Sequence, residues 1–213
     1  MKLSLDTVKD HGLIAVVRGT TVDNAVQLSQ TLSESGIKFI EITVETPGAL
    51  KVIEKVADEI GDQIFVGAGT VLDQETARSA ILAGASYIVS PTLNIDTIKM
   101  TKRYGKLSVP GAFSPTEILT AYEEGADAVK VFPSARVGSG YIKDLKGPLP
   151  QIPLIATGGI DKNNLHEYLK AGVVAVGLGG SLVNSKALAA GDFDTIAEDA
   201  RDFSRLFSEF KNA

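Results

Sequence analysis

Eight short apolar runs recur along the 213-residue chain at intervals of roughly 25 residues, the length of one strand–helix unit in a barrel. They occupy residues 13–17, 39–42, 64–66, 87–89, 107–109, 128–131, 154–156 and 173–176. The runs are rich in β-branched residues and are followed by Gly, Pro, Ser or Thr, as is typical of buried parallel strands. Amphipathic segments of helical length separate most of them, for example the stripe of Ala25, Leu28 and Leu32.

This alternation predicts a single-domain (β/α)8 TIM barrel over residues 1–213, with an N-terminal segment over 1–12 and a C-terminal helix over 194–212. An open doubly wound sheet also alternates strands and helices, but its G-x-G-x-x-G motif is absent after the first run. Glycine-rich segments instead follow runs seven and eight, where TIM barrels often bind phosphate. The sequence therefore favours the closed barrel.

Composition excludes several classes of function. The net charge of −5 gives no reason to expect nucleic acid or an anionic membrane as a partner, and no apolar run reaches the 18 or so residues of a membrane span. Without cysteine there is no thiolate nucleophile, and no carboxylates or histidines have metal-site spacing. His11 and His166 are expected to be packing or surface residues. We expect a cytoplasmic protein that uses no metal and no cofactor.

Two charged side chains interrupt otherwise apolar runs, Glu41 in run two and Lys130 in run six. By strand alternation Glu41 shares a face with Thr43, and Lys130 shares one with Ala128 and Phe132. If both faces point inward, an acid and an amine enter the same barrel. A buried salt bridge is the structural alternative, but burying two charges costs several kcal/mol per ion and often yields no net stability. A desolvated lysine is a nucleophile, because burial disfavours the ammonium form.

Glycine-rich segments form the second candidate feature. Residues 157–160 follow run seven, and residues 177–181 follow run eight. Their backbone N–H groups, with helix N-termini expected behind them, can hold a phosphate without any basic side chain. Residues 67–70 after run three let the backbone approach a ligand closely. Each segment alone is also consistent with a tight turn, so the joint position after runs seven and eight is what favours phosphate.

Seven short motifs make the interpretation more specific. They are Glu41-Ile42-Thr43, Gly67-Ala68-Gly69-Thr70-Val71-Leu72, Ser90-Pro91, Val109-Pro110-Gly111, Lys130-Val131-Phe132-Pro133, Thr157-Gly158-Gly159 and Gly179-Gly180-Ser181. In this combination the chain resembles the 2-keto-3-deoxy-6-phosphogluconate aldolase family, which includes the 4-hydroxy-2-oxoglutarate and 2-keto-3-deoxy-6-phosphogalactonate aldolases. The match extends in order through nearly the whole chain.

The resemblance implies a homotrimeric, metal-independent barrel that cleaves a small 2-keto-3-deoxy acid to pyruvate and an aldehyde. It implies that Lys130 forms the Schiff base and that Glu41 is the catalytic acid and base. The residues that match the family's pyruvate pocket are Thr70, Pro91 and Phe132, and those that match its phosphate-binding backbone are Gly158, Gly159, Gly180 and Ser181.

The arginine that binds the substrate carboxylate does not lie at the same position in all members of the family. Some members carry an arginine four residues after the glutamate, where this chain has Glu45. Others carry an arginine at the end of strand one, where this chain has Arg18. The planar fork of arginine pairs bidentately with a carboxylate, so Arg18 is predicted to hold the keto acid. The alternative is an exposed arginine that pairs with Glu45.

Two other classes of function stay open. A phosphosugar epimerase or isomerase also combines a phosphate-binding barrel with acid–base residues, although it would use a matched acid/base pair rather than a lone lysine in run six. A non-catalytic phosphometabolite-binding protein is the third hypothesis, and the presence of both Glu41 and Lys130 argues against it. Within the aldolases, the phosphogluconate, phosphogalactonate and hydroxyglutarate acids are alternative substrates.

Overall fold

The strands form one parallel sheet that is almost closed. A computed structural model describes residues 3–213, and the strands in them follow the order β5-β4-β3-β2-β1-β9-β8-β7-β6. They are β1 Leu13–Val17, β2 Phe39–Thr43, β3 Phe65–Gly69, β4 Tyr87–Val89, β5 Leu107–Val109, β6 Gly111–Ala112, β7 Val129–Val131, β8 Leu154–Thr157 and β9 Ala175–Leu178. Runs one to four are β1 to β4, and runs six to eight are β7 to β9.

Helices connect the strands and confirm the predicted (β/α)8 TIM barrel. They are α1 Leu5–His11, α2 Val22–Glu34, α3 Ala49–Ile60, α4 Gln74–Leu82, α5 Ile95–Arg103, α6 Pro115–Glu123, α7 Gly138–Lys146, α8 Leu165–Lys170, α9 Ser185–Ala190 and α10 Phe193–Lys211. Local chemistry fixes several of their starts. The side chains of Thr21, Asp73, Asn94 and Ser114 each accept a hydrogen bond from the backbone N–H three residues later.

The fifth apolar run, residues 107–109, is β5, and a short strand that was not predicted, β6, follows it after Pro110. Proline has no N–H to donate, so the ladder is interrupted at Pro110. The carbonyl of Val109 accepts from the N–H of Ser90 at 3.2 Å, whereas the carbonyl of Pro110 accepts from the N–H of Lys130 at 2.9 Å. The chain thus changes hydrogen-bonding neighbour from β4 to β7 at this point, which closes the barrel.

Element boundaries differ slightly from those predicted. The C-terminal helix expected over 194–212 is α10, Phe193–Lys211. The N-terminal segment expected over 1–12 contains α1, and Met1 and Lys2 of that segment lie outside the described residues. Run eight, expected over 173–176, is β9 and begins two residues later. None of the helices in residues 3–213 has the length and apolar character that crossing a membrane requires.

Two apolar layers hold the barrel together. The larger layer lies between the strands and the surrounding helices and includes Ile40, Val66 and Phe203. The smaller layer fills the inside of the barrel, where Phe39, Phe65, Tyr87, Ala128 and Ile155 pack together, and Val8 of α1 joins it. Side chains alternate between these layers along each strand. Charged groups on the inner face are therefore enclosed by the barrel.

Candidate active site

Glu41 of β2 and Lys130 of β7 meet inside the barrel. Lys130 Nζ lies 3.7 Å from Glu41 Oε1, and the two side chains expose only 5% and 3% of their surface. Within residues 3–213 they are the only charged side chains that are buried. The structure therefore brings together the amine and the acid that the sequence analysis expected on the inner face.

This contact differs from a purely structural ion pair. Its length exceeds the roughly 2.7–3.2 Å of an N–H···O hydrogen bond, and Glu41 Oε1 has no hydrogen-bond partner among the described residues. A buried ion pair stabilises a fold only when its geometry is excellent and its remaining lone pairs are satisfied. The arrangement leaves both groups free to react with a bound molecule.

A glycine at the end of β3 makes room for the Glu41 side chain. Glu41 is paired in register with Gly67, and its carboxylate leans over Gly69. A Cβ atom on Gly69 would stand 2.5 Å from Cγ and 2.6 Å from Cδ of Glu41, closer than real carbon contacts allow. The sequence predicts that this glycine-rich segment lets a ligand approach the backbone closely. In the structure the group that approaches Gly69 closely is the Glu41 carboxylate of the neighbouring strand.

Tyr87 of β4 is a candidate that the sequence analysis did not single out. Its ring occupies the space above Gly67, and burial raises the pKa of its phenol well above the ordinary value, with a further contribution from the charge of Glu41. The signal was present in the sequence, because Tyr87 shares the inner face of its strand with Val89. By pattern alone, a tyrosine at the start of an apolar run cannot be distinguished from a residue of the hydrophobic core.

Phe132 and Pro91 lie on two sides of the lysine. The ring centroid of Phe132 is 5.3 Å from Lys130 Nζ, and its edge lies 3.1 Å from the position of a Cβ on Gly158. Pro91 follows β4, is partly buried, and packs its backbone against Gly111, which is the register partner of Lys130. Phe132 thus connects the lysine to the glycine-rich segment after β8.

Arg18, Thr70 and Glu45 form a polar cluster at the ends of β1, β3 and β2. Arg18 Nη1 donates to Oε1 of Glu45, and Thr70 Oγ1 donates to the same oxygen at 3.4 Å. Thr70 has a backbone φ of 59°, a left-handed conformation that non-glycine residues rarely adopt and that is often found at functional sites. Arg18, predicted to bind the substrate carboxylate, and Thr70, predicted to line the pyruvate pocket, therefore converge on a carboxylate of the chain itself.

A cavity of about 490 Å³ joins Arg18 to the two glycine-rich segments. Its lining comprises Val16, Arg18, Phe132, residues 157–161 and residues 179–181. Among the hydrogen bonds of residues 3–213, none is donated by the backbone N–H of Gly159, Gly180 or Ser181. Such free N–H groups suit an anion. Thr70 lies outside this cavity and lines another one, of about 460 Å³, together with Glu45.

One expectation about the glycine-rich segments is wrong. Helix N-termini do not directly follow them, because α8 begins only at Leu165 and α9 only at Ser185. Short turns come first: the carbonyl of Gly179 accepts from the N–H groups of both Leu182 and Val183. The hydroxyl of Ser181 donates to the carbonyl of Ile160 at 2.7 Å, which ties the two segments together. An anion here would be held by loop N–H groups, without a long helix dipole.

Both histidines lie away from the lysine. His11 ends α1, and its ring is 6.1 Å from that of Phe39; burial, and next the charge of Lys38, lower its pKa. Nε2 of His166 lies 3.0 Å from the backbone oxygen of Leu206 in α10. In the part of the chain that the structure describes, no three His, Cys, Asp or Glu side chains are grouped as a metal site would require.

Comparison with known proteins identifies relatives along nearly the whole chain. Residues 5–198 match the family model described as KDPG and KHG aldolase. The chain is 35% identical over 198 residues to the 2-dehydro-3-deoxy-6-phosphogalactonate aldolase of Escherichia coli K12, covering 92% of this chain and 95% of the relative. It is 36% identical to the 2-dehydro-3-deoxy-phosphogluconate aldolase of Treponema pallidum, covering 86% and 88%.

Solved structures agree with this assignment. A structure described as native KDPGal superposes with a TM-score of 0.89 at 33% identity, covering 94% of this chain and 96% of the other. The KDPG aldolase of Legionella pneumophila, with pyruvate captured as a covalent carbinolamine, superposes with a TM-score of 0.88 at 28% identity, covering 94% and 98%. The chain belongs to the KDPG and KHG aldolase family.

Proposed function

We propose that this enzyme is a class I aldolase that cleaves a 2-keto-3-deoxy-6-phospho sugar acid to pyruvate and an aldehyde such as glyceraldehyde 3-phosphate. The observation that carries the proposal is the buried Lys130–Glu41 pair at 3.7 Å inside the barrel. The carbinolamine that pyruvate forms in the Legionella relative supports the same chemistry here. The phosphogalactonate and hydroxyglutarate acids are the alternative substrates, and kinetics with all three acids side by side distinguish them.

The first steps build an electron sink next to the bond that breaks. The Lys130 amine attacks the C2 carbonyl, and the carbinolamine loses water to give a protonated imine. Glu41, directly or through a water, removes the proton of the C4 hydroxyl. The C3–C4 bond then breaks, its electrons pass to the imine nitrogen, and an aldehyde and an enamine result.

The last steps reverse the proton transfer. Glu41 returns a proton to C3 of the enamine, which restores the imine, and water then hydrolyses the imine to release pyruvate. One carboxyl group serves both transfers because they occur in sequence. Burial of the pair supports this role, since a water-excluded site keeps the carboxylate oriented and protects the enamine.

The keto acid is held by groups on three sides of the lysine. We assign Phe132 and Pro91 to the walls of the pyruvate pocket, because both lie next to Lys130 or its register partner. We assign the carboxylate contact to Arg18 and Thr70, which already bind a carboxylate oxygen, that of Glu45. The substrate carboxylate would replace Glu45 as their partner.

The phosphate binds at the far end of the 490 Å³ cavity. We assign it to the backbone of Gly158, Gly159, Gly180 and Ser181, because the last three have N–H groups that donate to no group within residues 3–213. Asp161 also lines the cavity, but its carboxylate accepts from the N–H groups of Asn163 and Asn164 and so belongs to its own turn. The binding energy of this remote group helps to position the reacting carbons.

We further propose a cytoplasmic homotrimer that acts on small molecules and has no nucleic-acid or membrane partner. Exposed apolar side chains support an assembly: Leu72 is 53% exposed and Leu50 is 41% exposed, and both line the 460 Å³ cavity beside Glu45. Light scattering measures the mass of the assembly, and a monomer at working concentration would contradict this part.

Borohydride trapping tests the central step. Pyruvate plus borohydride should add the mass of a reduced pyruvyl group to one peptide, the one that contains Lys130. Lys130→Met should abolish both the adduct and turnover. An isomerase or epimerase forms no such adduct, and a binding protein releases no pyruvate. An adduct on a different lysine, or none, contradicts the mechanism.

Dialysis against EDTA tests the metal-independent chemistry. Activity should be unchanged, because the electron sink is an imine rather than a metal ion. Activity that is lost and then restored by a divalent ion contradicts the class I assignment.

A further inference from the structure

Tyr87 has a buried hydroxyl without a hydrogen-bond partner. The residue is only 2% exposed, and no group among the described residues bonds its phenolic oxygen. A buried polar group that lacks a hydrogen-bond partner is destabilising, because it has lost its bonds to water and gained none. Phenylalanine would fill the same space without that cost, so packing alone gives no reason for the hydroxyl.

Register places Tyr87 opposite Glu41. Gly67 of β3 is paired with Glu41 on one side and with Tyr87 on the other. Because the middle position has no side chain, the phenol ring lies over Gly67, and its centroid is 5.8 Å from that of Phe39 in β2. Tyr87 therefore reaches across β3 toward the strand that carries the catalytic carboxylate.

The Tyr87 hydroxyl can donate a hydrogen bond, and the Glu41 carboxylate can accept one. Among the described residues, Glu41 Oε1 is the other buried side-chain oxygen of the barrel interior that lacks a hydrogen bond, and the charge of Glu41 acts on the Tyr87 phenol. The phenol stays protonated over the working pH range because its pKa is raised, so it is a constant donor and never a competing base. Lys130 is the one charged neighbour of Glu41 within residues 3–213, and it becomes an imine during turnover.

We propose that Tyr87 is a positioning residue for Glu41, whose hydroxyl donates through one shared water to the carboxylate and holds it while Lys130 is bonded to substrate. The proposal rests on the proposed function. A shared water satisfies both orphaned oxygens, as buried waters commonly do. Tyr87 touches neither the substrate nor the lysine in this role, and it acts only through the orientation of Glu41.

Tyr87→Phe removes the hydroxyl and leaves the ring. We expect kcat to fall by up to about tenfold, which corresponds to about 1.4 kcal/mol, the upper end of what one net hydrogen bond contributes. KM should change less than about twofold, and borohydride trapping of pyruvate should be unaffected. Exchange of the pyruvate methyl hydrogens with deuterated water should fall in proportion to kcat, because it needs the proton transfer at C3 but no C–C cleavage.

Two further variants separate positioning from folding. Tyr168→Phe alters a tyrosine equally buried but packed in the outer apolar layer, and it should leave kcat and exchange unchanged. In a Glu41→Gln background, Tyr87→Phe should have no further effect on kcat. A thermal melt should show that Tyr87→Phe remains folded, so that its loss of kcat reports the hydroxyl alone.

The results distinguish this inference from the function on which it rests. Normal kcat and normal exchange in a folded Tyr87→Phe enzyme show that the hydroxyl does not act on Glu41. A full tenfold loss in the Glu41→Gln background likewise overturns the proposal, because the effect then bypasses the carboxylate. If the wild-type enzyme traps no pyruvate, the proposed function itself fails.

Discussion

Gly69→Ala should disable the proton transfer while leaving the amine intact. Gly69 ends β3 directly beneath the Glu41 carboxylate, and its missing side chain is what lets the acid lie there. The substitution adds a single methyl group to a position with ordinary backbone geometry. Any loss of activity then reports the displacement of Glu41.

The size of the effect follows from the distances. The new Cβ would stand 2.6 Å from Glu41 Cδ, whereas carbon atoms in contact lie about 3.5–4.0 Å apart. The carboxylate must therefore retreat by about 1 Å, and a misplacement of that size costs on the order of 100-fold in rate. Overpacking of this kind destabilises a protein by about 1–3 kcal/mol, which leaves an enzyme of this size folded.

Three measurements check this prediction. A lactate dehydrogenase assay of pyruvate release should show kcat reduced about 100-fold, borohydride trapping should still label Lys130, and the thermal midpoint should fall modestly. Gly140→Ala is the matched control, since Gly140 is exposed in α7 with nothing near its Cβ position, and it should be fully active. A kcat within about threefold of wild type in folded Gly69→Ala enzyme would refute the placement of Glu41 as the proton carrier.

Further substitutions address Glu41 itself, the phosphate-binding segment and the carboxylate contact. Glu41→Gln should keep the borohydride adduct and lose about 100-fold or more in kcat; near-normal turnover would mean that another group moves the protons. Gly180→Val, at an open position without positive φ, should erase a preference in kcat/KM for phosphorylated over dephosphorylated substrate; an unchanged preference contradicts the phosphate assignment. Arg18→Lys keeps the charge but loses the bidentate fork, so KM should rise and pyruvate trapping should slow. Glu45→Gln should have a milder effect on both. Unaltered trapping in Arg18→Ala would exclude Arg18 from the carboxylate site.

The barrel could be predicted from the regular recurrence of the apolar runs. The Glu41–Lys130 pair could be predicted because charges are costly to bury. Glu41 and Lys130 interrupt apolar runs, and strand alternation assigns each to one face of its own strand, so the two meet if both faces point into the barrel. The structure places them 3.7 Å apart, as that logic requires. Periodicity was equally sufficient for the connecting helices, whose apolar stripes face the outer layer.

Other features depend on contacts between distant segments and could not be predicted. The pattern places Gly177 after run eight, but it lies in β9 as the register partner of Thr157, whose Oγ1 stands 2.5 Å from where a Cβ on Gly177 would be. The glycine at position 177 indicates that two neighbouring strands pack closely, not that its strand ends. The partner of Arg18 depends equally on how the loops after β1 and β2 meet.

Closing the barrel through Pro110 determines which parts of β7 open most readily. The N–H of Lys130 donates to the Pro110 carbonyl at 2.9 Å, whereas the N–H of Phe132, two residues later, reaches Ala112 only at 3.4 Å. In a hydrogen–deuterium exchange experiment the Lys130 amide should therefore be strongly protected and the Phe132 amide much less so. The backbone at Lys130 is thus held in the sheet, while the backbone at Phe132, just past the end of β7, should open more readily.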